Sequence, residues 1–173
     1  MTAAAAPTTT TQVYRVYIRA TPQAIWDAIT KPEWNQKYGY GASAEFDLRP
    51  GGTYRATPSA EIRAAGDAMG FTTPDIIVDG EVIESDPPRK LVQTWRMLMD
   101  PATAAEGFTR LTYEITPGEN GVSKLTMTHD LSGAPHTATM VSGVGEAENG
   151  GGGWPWVLSD LKTLLETGAA FAK

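Results

Sequence analysis

The sequence predicts an α+β domain in which a curved, seven-stranded antiparallel sheet buries one face against one long C-terminal helix, with two short helices after the first strand. Three observations carry this reading. Short segments rich in β-branched and aromatic residues recur through the middle of the chain, separated by Pro, Gly and Asn turn signals. A Thr-Pro pair follows the first of them and opens a helical spacing of apolar residues. A single leucine stripe at helical periodicity closes the chain.

Residues 12–20 alternate Tyr14, Val16 and Ile18 against Val13, Arg15, Tyr17 and Arg19, the pattern of a strand with one wet face. Thr21 and Pro22 then cap a helix carrying Ala24, Ile25, Ala28 and Ile29, which Pro32 ends, and residues 33–38 add one or two turns. Strands are expected at 42–48, 53–57, 75–85, 90–99, 108–116 and 122–131, with turns at Arg49-Pro50-Gly51-Gly52, Asp86-Pro87-Pro88-Arg89 and Pro117 to Gly121. The closing helix covers 154–167, with Trp154, Val157, Leu158, Leu161, Leu164 and Leu165 on its stripe, Asp160, Lys162 and Glu166 off it, and Gly168 as its stop.

Two segments remain, 58–74 and 132–153. The first contains enough helix formers for one or two turns but has little to bury, and the second exceeds the ~12–15 residues of an ordinary loop. Both are read as mobile covers. A helix of ~14 residues is only ~21 Å long, so it covers part of such a sheet, and the remaining space is either filled by large side chains or open. Trp95, Met97 and Met99 share one strand face; Leu111, Tyr113 and Ile115 share another; Leu125, Met127 and His129 share a third.

Composition narrows the function classes. The 173 residues are 41% hydrophobic and 20% charged, which fits one folded domain rather than a disordered chain. The expected organisation is a disordered tail at 1–11, one domain over 12–168 and a short tail at 169–173. A net charge of −6 argues against nucleic acid, which is bound through clustered cations. Absence of cysteine removes thiolate catalysis, disulfides and cysteine-held metals, and agrees with a cytoplasmic location. No apolar run reaches the ~20 residues that span a bilayer.

Candidate chemistry is sparse. His129, at a strand end beside Asp130, is the acid/base candidate, with Glu84 or Tyr113 as a helper, although a lone histidine is more often structural. His136 reads as a solvated loop residue, and Gly133 and Pro135 break any metal-ligand spacing between the two histidines, so no metal is expected. Asn149 to Gly153 lacks the Gly-Lys-Ser/Thr ending of a phosphate loop and reads as a hinge. Ser142 has no nucleophile motif around it. By period two, Glu81 falls with Ile83 and Glu84 with Val82; the favoured reading for each is ordinary exposed charge, and one that pointed inward would need a partner such as Arg96 or Arg110. Trp26, Trp34, Tyr38, Tyr40, Phe46, Tyr54, Trp95, Trp154 and Trp156 serve equally as core or as pocket lining.

Five stretches in order, VYIRATPQAIWDAITKPEWNQKY, DGEVIESDPPRKLVQTWRM, FTRLTYEITP, SKLTMTHDL and GGGWPWVLSDLKTLLETG, resemble the START-like or SRPBCC helix-grip superfamily. The resemblance spans residues 16–168 and is nearest the branch related to the activator of the 90-kDa heat-shock chaperone ATPase. It implies an apolar cavity between the sheet and the last helix, floored by the two short helices. The side chains placed there are Trp34, Tyr38, Tyr40, Phe46, Tyr54, Trp95, Met97, Tyr113, Met127, His129, Trp154, Leu158 and Leu161. Three functions follow as expectations: a binder of a hydrophobic or aromatic small molecule without catalysis or cofactor, a polyketide cyclase or aromatase, and a chaperone-interacting domain. The third is weakened by the lack of the additional N-terminal domain of the eukaryotic activators. A monomer or homodimer is expected. Fold alone does not decide between these functions.

Overall fold

A computed structural model describes residues 10–148 and 151–172. Most of the expected N-terminal tail, together with Asn149 and Gly150 of the glycine run, lies outside the described residues. The elements are β1 (Thr11–Ile18), α1 (Pro22–Thr30), α2 (Pro32–Asn35), β2 (Ser43–Phe46), β3 (Thr53–Thr57), α3 (Ala60–Ala68), β4 (Val78–Asp86), β5 (Lys90–Met97), α4 (Pro101–Ala105), β6 (Thr109–Pro117), β7 (Ser123–Asp130), α5 (Pro135–Ser142), a 3-10 turn (Glu146–Glu148) and α6 (Gly153–Thr167). One antiparallel sheet has the order β1-β7-β6-β5-β4-β3-β2, so the first strand pairs with the last. The segment containing α1 and α2 carries the chain from one edge of the sheet to the other.

Local signals explain the first helices. Thr21 Oγ1 accepts from the Ala24 amide at 3.1 Å, and Pro22 occupies the first turn. Ile25, Trp26, Ala28 and Ile29 are then buried on the sheet side. Pro32 both ends α1 and starts α2.

Register defines the inner face of the sheet. Leu111 faces His129, Tyr113 faces Met127 and Ile115 faces Leu125 across β6 and β7, which is the alternation the sequence shows. On β5, Leu91 lies opposite Tyr113 and Gln93 opposite Leu111. Leu158, Leu161 and Leu164 of α6 are buried with this face, a burial of ~1.5–3 kcal/mol for each leucine.

Asp160 departs from the expected helix surface: it is 0% exposed although it lies off the leucine stripe. Its carboxylate accepts from the Gly39 amide at 2.8 Å and the Phe171 amide at 2.7 Å, so it ties α6 to the loop after α2 and to the C-terminal segment. Gly39 has φ +61, a conformation that favours glycine.

The two supposed covers contain more helix than the sequence indicates. α3 is nine residues long, capped by Ser59, and buries only Gly66. Residues 132–153 contain α5, whose N-cap residue Ala134 provides no side-chain cap. Glu106, thirty residues earlier, supplies it: its Oε1 accepts from the His136 amide at 2.6 Å and its Oε2 from the Thr137 amide at 2.9 Å and the Thr137 hydroxyl at 2.7 Å. His136 is therefore a capping partner as well as a surface histidine, with Nδ1 at 2.8 Å from Glu106. Burial alone would raise the Glu106 pKa, but the bonds from Thr137 and His136 outweigh it and hold the carboxyl at about 2. At the far end of the glycine run, Gly153 opens α6 with φ +63, and an added Cβ would lie 2.2 Å from the Val141 carbonyl oxygen.

Candidate functional site

The inner face carries few polar groups, and two sets of them bear on the candidate chemistry. At the β7 end stands His129, fully buried, with both ring nitrogens engaged. Trp154 Nε1 donates to His129 Nδ1 at 3.0 Å. An indole nitrogen can only donate, so Nδ1 carries no proton and the neutral ring is protonated at Nε2. Nε2 then donates to Thr109 Oγ1 at 2.7 Å, and Thr109 donates onward to the Trp95 carbonyl at 2.8 Å. The rings of Trp95 and Trp154 stand 5.4 and 5.9 Å from the imidazole centre. Burial lowers the His129 pKa to about 4, against a smaller upward pull from Asp130. A neutral imidazole with both nitrogens occupied has no free position for proton transfer.

The second set lies near the middle of the sheet. Gln93 on β5 is 1% exposed, and neither its Oε1 nor its Nε2 has a hydrogen-bond partner. The Tyr54 hydroxyl lies beside it. Burial raises the Tyr54 pKa, while Trp95 and Gln93 pull weakly the other way without closing a bond of normal geometry on the carboxamide. Tyr113, half-buried, is raised by burial and then by Tyr54 and Tyr38, so the three phenols sit within electrostatic reach of one another. Tyr38 donates to the Ala28 carbonyl at 3.2 Å. An unmatched buried carboxamide costs about 1–3 kcal/mol for each orphaned group, so Gln93 is an expensive residue among apolar side chains.

Of the remaining sequence-derived lining, Phe46 stacks at 4.6 Å on Tyr54, and Trp95, Met127, Leu158 and Leu161 are buried in the same core. Met97 is partly buried against it. Trp34 and Tyr40 are at the surface instead: Lys37 lies 4.1 Å over the Trp34 ring, and the Tyr40 hydroxyl accepts from the Gly153 amide at 3.2 Å. An open cleft of about 510 Å³ separates the end of α2 from the start of α3, lined by Gln36, Lys37, Gly41, Ser43 and Ser59 among others.

Glu84 does not join the interior. A bulge between Val82 and Glu84 sets Val82 opposite Gln93 but Glu84 opposite Val92, which breaks period two and turns the carboxylate to the other face. There it pairs with Lys90 at 3.2 Å, its side chain 45% exposed. Glu81 is exposed as well, and Arg96 pairs with Asp79 at 2.7 Å rather than with either glutamate. Among the described residues, no group of three or more His, Asp or Glu side chains is arranged to hold a metal ion. No described helix is long and apolar enough to cross a membrane. Gln93 was missed by the sequence reading; its only signal is a carboxamide on the face that carries Leu91 and Trp95.

An antiparallel sheet of this order, closed on a C-terminal helix over an inner face of aromatic, aliphatic and a few polar side chains, is the START-like, SRPBCC helix-grip class. Residues 19–166 match the family described as activator of Hsp90 ATPase homolog 1-like protein, and the chain belongs to that family. A search of curated proteins gave no match. Among solved structures, the chain is similar to protein MLL2253 from Mesorhizobium loti, with 20% identity over 90% of this chain and 96% of that one and a TM-score of 0.62. It is also similar to an Aha1 solved as a dimer from Colwellia psychrerythraea, with 18% identity over 91% and 97% of the two chains and a TM-score of 0.57. An HSP90 activator from Plasmodium falciparum shares 18% identity over 94% and 91%, with a TM-score of 0.52. At these identities the likeness is one of fold.

Proposed function

We propose that the protein binds an apolar or aromatic small molecule between the sheet and α6, without chemistry of its own. The observation that carries this reading is the fully buried Gln93, whose carboxamide closes no hydrogen bond of normal geometry on a face built largely from apolar and aromatic side chains. Phe46, Met97 and Tyr113 support it, because they keep partial exposure although they belong to the inner face. Burial of ~300 Å² of apolar ligand surface contributes roughly 7 kcal/mol before association costs, enough for micromolar binding.

The cyclase or aromatase reading has less support. Its acid/base candidate, His129, is held neutral with both nitrogens engaged, and Glu84 is on the far face, which leaves Tyr113 without a partner. Stimulation of a chaperone ATPase through a protein surface is favoured by family membership alone. Native mass spectrometry of the protein from its own source, followed by denaturing extraction, tests the binding reading. A retained small molecule is expected; an empty protein that also ignores a panel of aromatic compounds in a calorimetric titration overturns it. A rise in the ATPase rate of a 90-kDa heat-shock chaperone on adding this protein would support the interaction role.

A further inference from the structure

The unpartnered Gln93 carboxamide specifies what kind of molecule fits. Gln93 presents a donor, Nε2, and an acceptor, Oε1, side by side in one plane, and neither is bonded. The complementary partner carries an acceptor and a donor at the same spacing, as the cis-amide edge of a lactam does, or a ketone beside an enolic hydroxyl. Tyr54 lies beside it with Trp95, Leu111 lies opposite it on β6, and Tyr38 and Tyr113 lie within electrostatic reach of Tyr54 on the apolar inner face. Among the described residues no Lys or Arg is buried, and the buried Asp160 already has its two oxygens on the Gly39 and Phe171 amides. An ion placed there would lack a counter-charge, which makes its burial costly.

Building on the binding reading above, we infer that the interior selects an uncharged, planar aromatic ligand bearing an adjacent hydrogen-bond donor and acceptor, which pair with the two ends of the Gln93 side chain. The phenols of Tyr38, Tyr54 and Tyr113 stay protonated, because burial raises each of them, so the lining offers such a ligand neutral donors rather than charges. Gln93 touches no open space in the empty protein. The ligand reaches it by displacing a neighbouring ring, such as the half-buried Tyr113.

The test is a calorimetric titration of wild type and Gln93→Leu with carbostyril, a neutral aromatic lactam, with naphthalene, which has the same shape and no polar edge, and with naphthoate, its charged analogue. Wild type is expected to bind carbostyril about 10-fold or more tighter than naphthalene, from two added hydrogen bonds. Gln93→Leu should lose that preference while binding naphthalene at least as well. Equal carbostyril affinity in wild type and Gln93→Leu would overturn the role of Gln93 and leave the binding reading standing. Preference for naphthoate would overturn the requirement for a neutral ligand. No binding of any of the three compounds to wild type would overturn both readings. A thermal melt of each protein confirms the fold, with Gln93→Met as the second variant should Gln93→Leu not fold.

Discussion

His129 and Gln93 occupy the same inner face of the same sheet, on strands separated only by β6, and both are almost completely buried. His129 has a partner for each nitrogen, supplied by a tryptophan on α6 and a threonine on β6. Gln93 has none at either end of its carboxamide. A second glutamine shows that the fold can satisfy such a group: Gln12, opposite His129 on β1, accepts from the Tyr14 hydroxyl at 2.6 Å and donates to the Ala138 carbonyl at 2.9 Å. A buried polar group with every valence met contributes to the architecture, whereas one with none met is a cost to the empty fold that only an occupant can offset. The residue with the most familiar catalytic chemistry is therefore paired within the architecture, and the unpaired carboxamide is the group that the proposed ligand would meet.

The largest effect should come from breaking the closed set. His129→Ala leaves a cavity and orphans Trp154 Nε1, and is expected to cost about 4 kcal/mol of unfolding free energy, read by urea denaturation. Protonating the same ring probes the contrast without a mutation. His129 titrates at about 4 in the folded chain against 6.5 when unfolded, so between those values the unfolded state binds more protons. Stability is thus complete above pH ~6.5 and falls by roughly 3 kcal/mol as pH drops toward 4, and a flat profile over that window would remove the locked-neutral assignment. Glu106→Ala should be milder, about 2 kcal/mol, because it removes the carboxylate cap of α5 while leaving the sheet intact. Its own pH signature lies lower, with stability lost as pH falls from 4.5 to about 2. The smallest effect has the opposite sign: Gln93→Leu is expected to stabilise the empty protein by about 1 kcal/mol, raising its melting temperature by roughly 2–4 °C. A loss of stability there would mean that the carboxamide is already satisfied.

Much of the fold was legible because its signals are local. Thr21-Pro22, the proline and glycine turns and the α6 stripe each determine structure within a few residues, and the sequence-derived strands agree with β1 to β7 apart from their ends. α5 was not legible, since the carboxylate that caps it lies thirty residues away. Glu84 is exposed, the favoured reading of the sequence, but its period-two pairing with Val82 was not legible: that period holds only in a regular strand, and the bulge after Val82 reverses the faces beyond it. Trp34 and Tyr40 showed that an aromatic residue near the expected cavity need not enter it.

The sequence by itself determined the class of domain, its element order and the apolar character of the inner face, because hydrophobic periodicity and turn chemistry are written in neighbouring residues. Only the tertiary structure decided which polar groups on that face are paired. The partners of His129 come from positions 109 and 154, those of Asp160 from 39 and 171, and Gln93 receives none. Hydrogen-bond satisfaction is settled by distance and angle between groups far apart in the chain, and no spacing along the sequence encodes it.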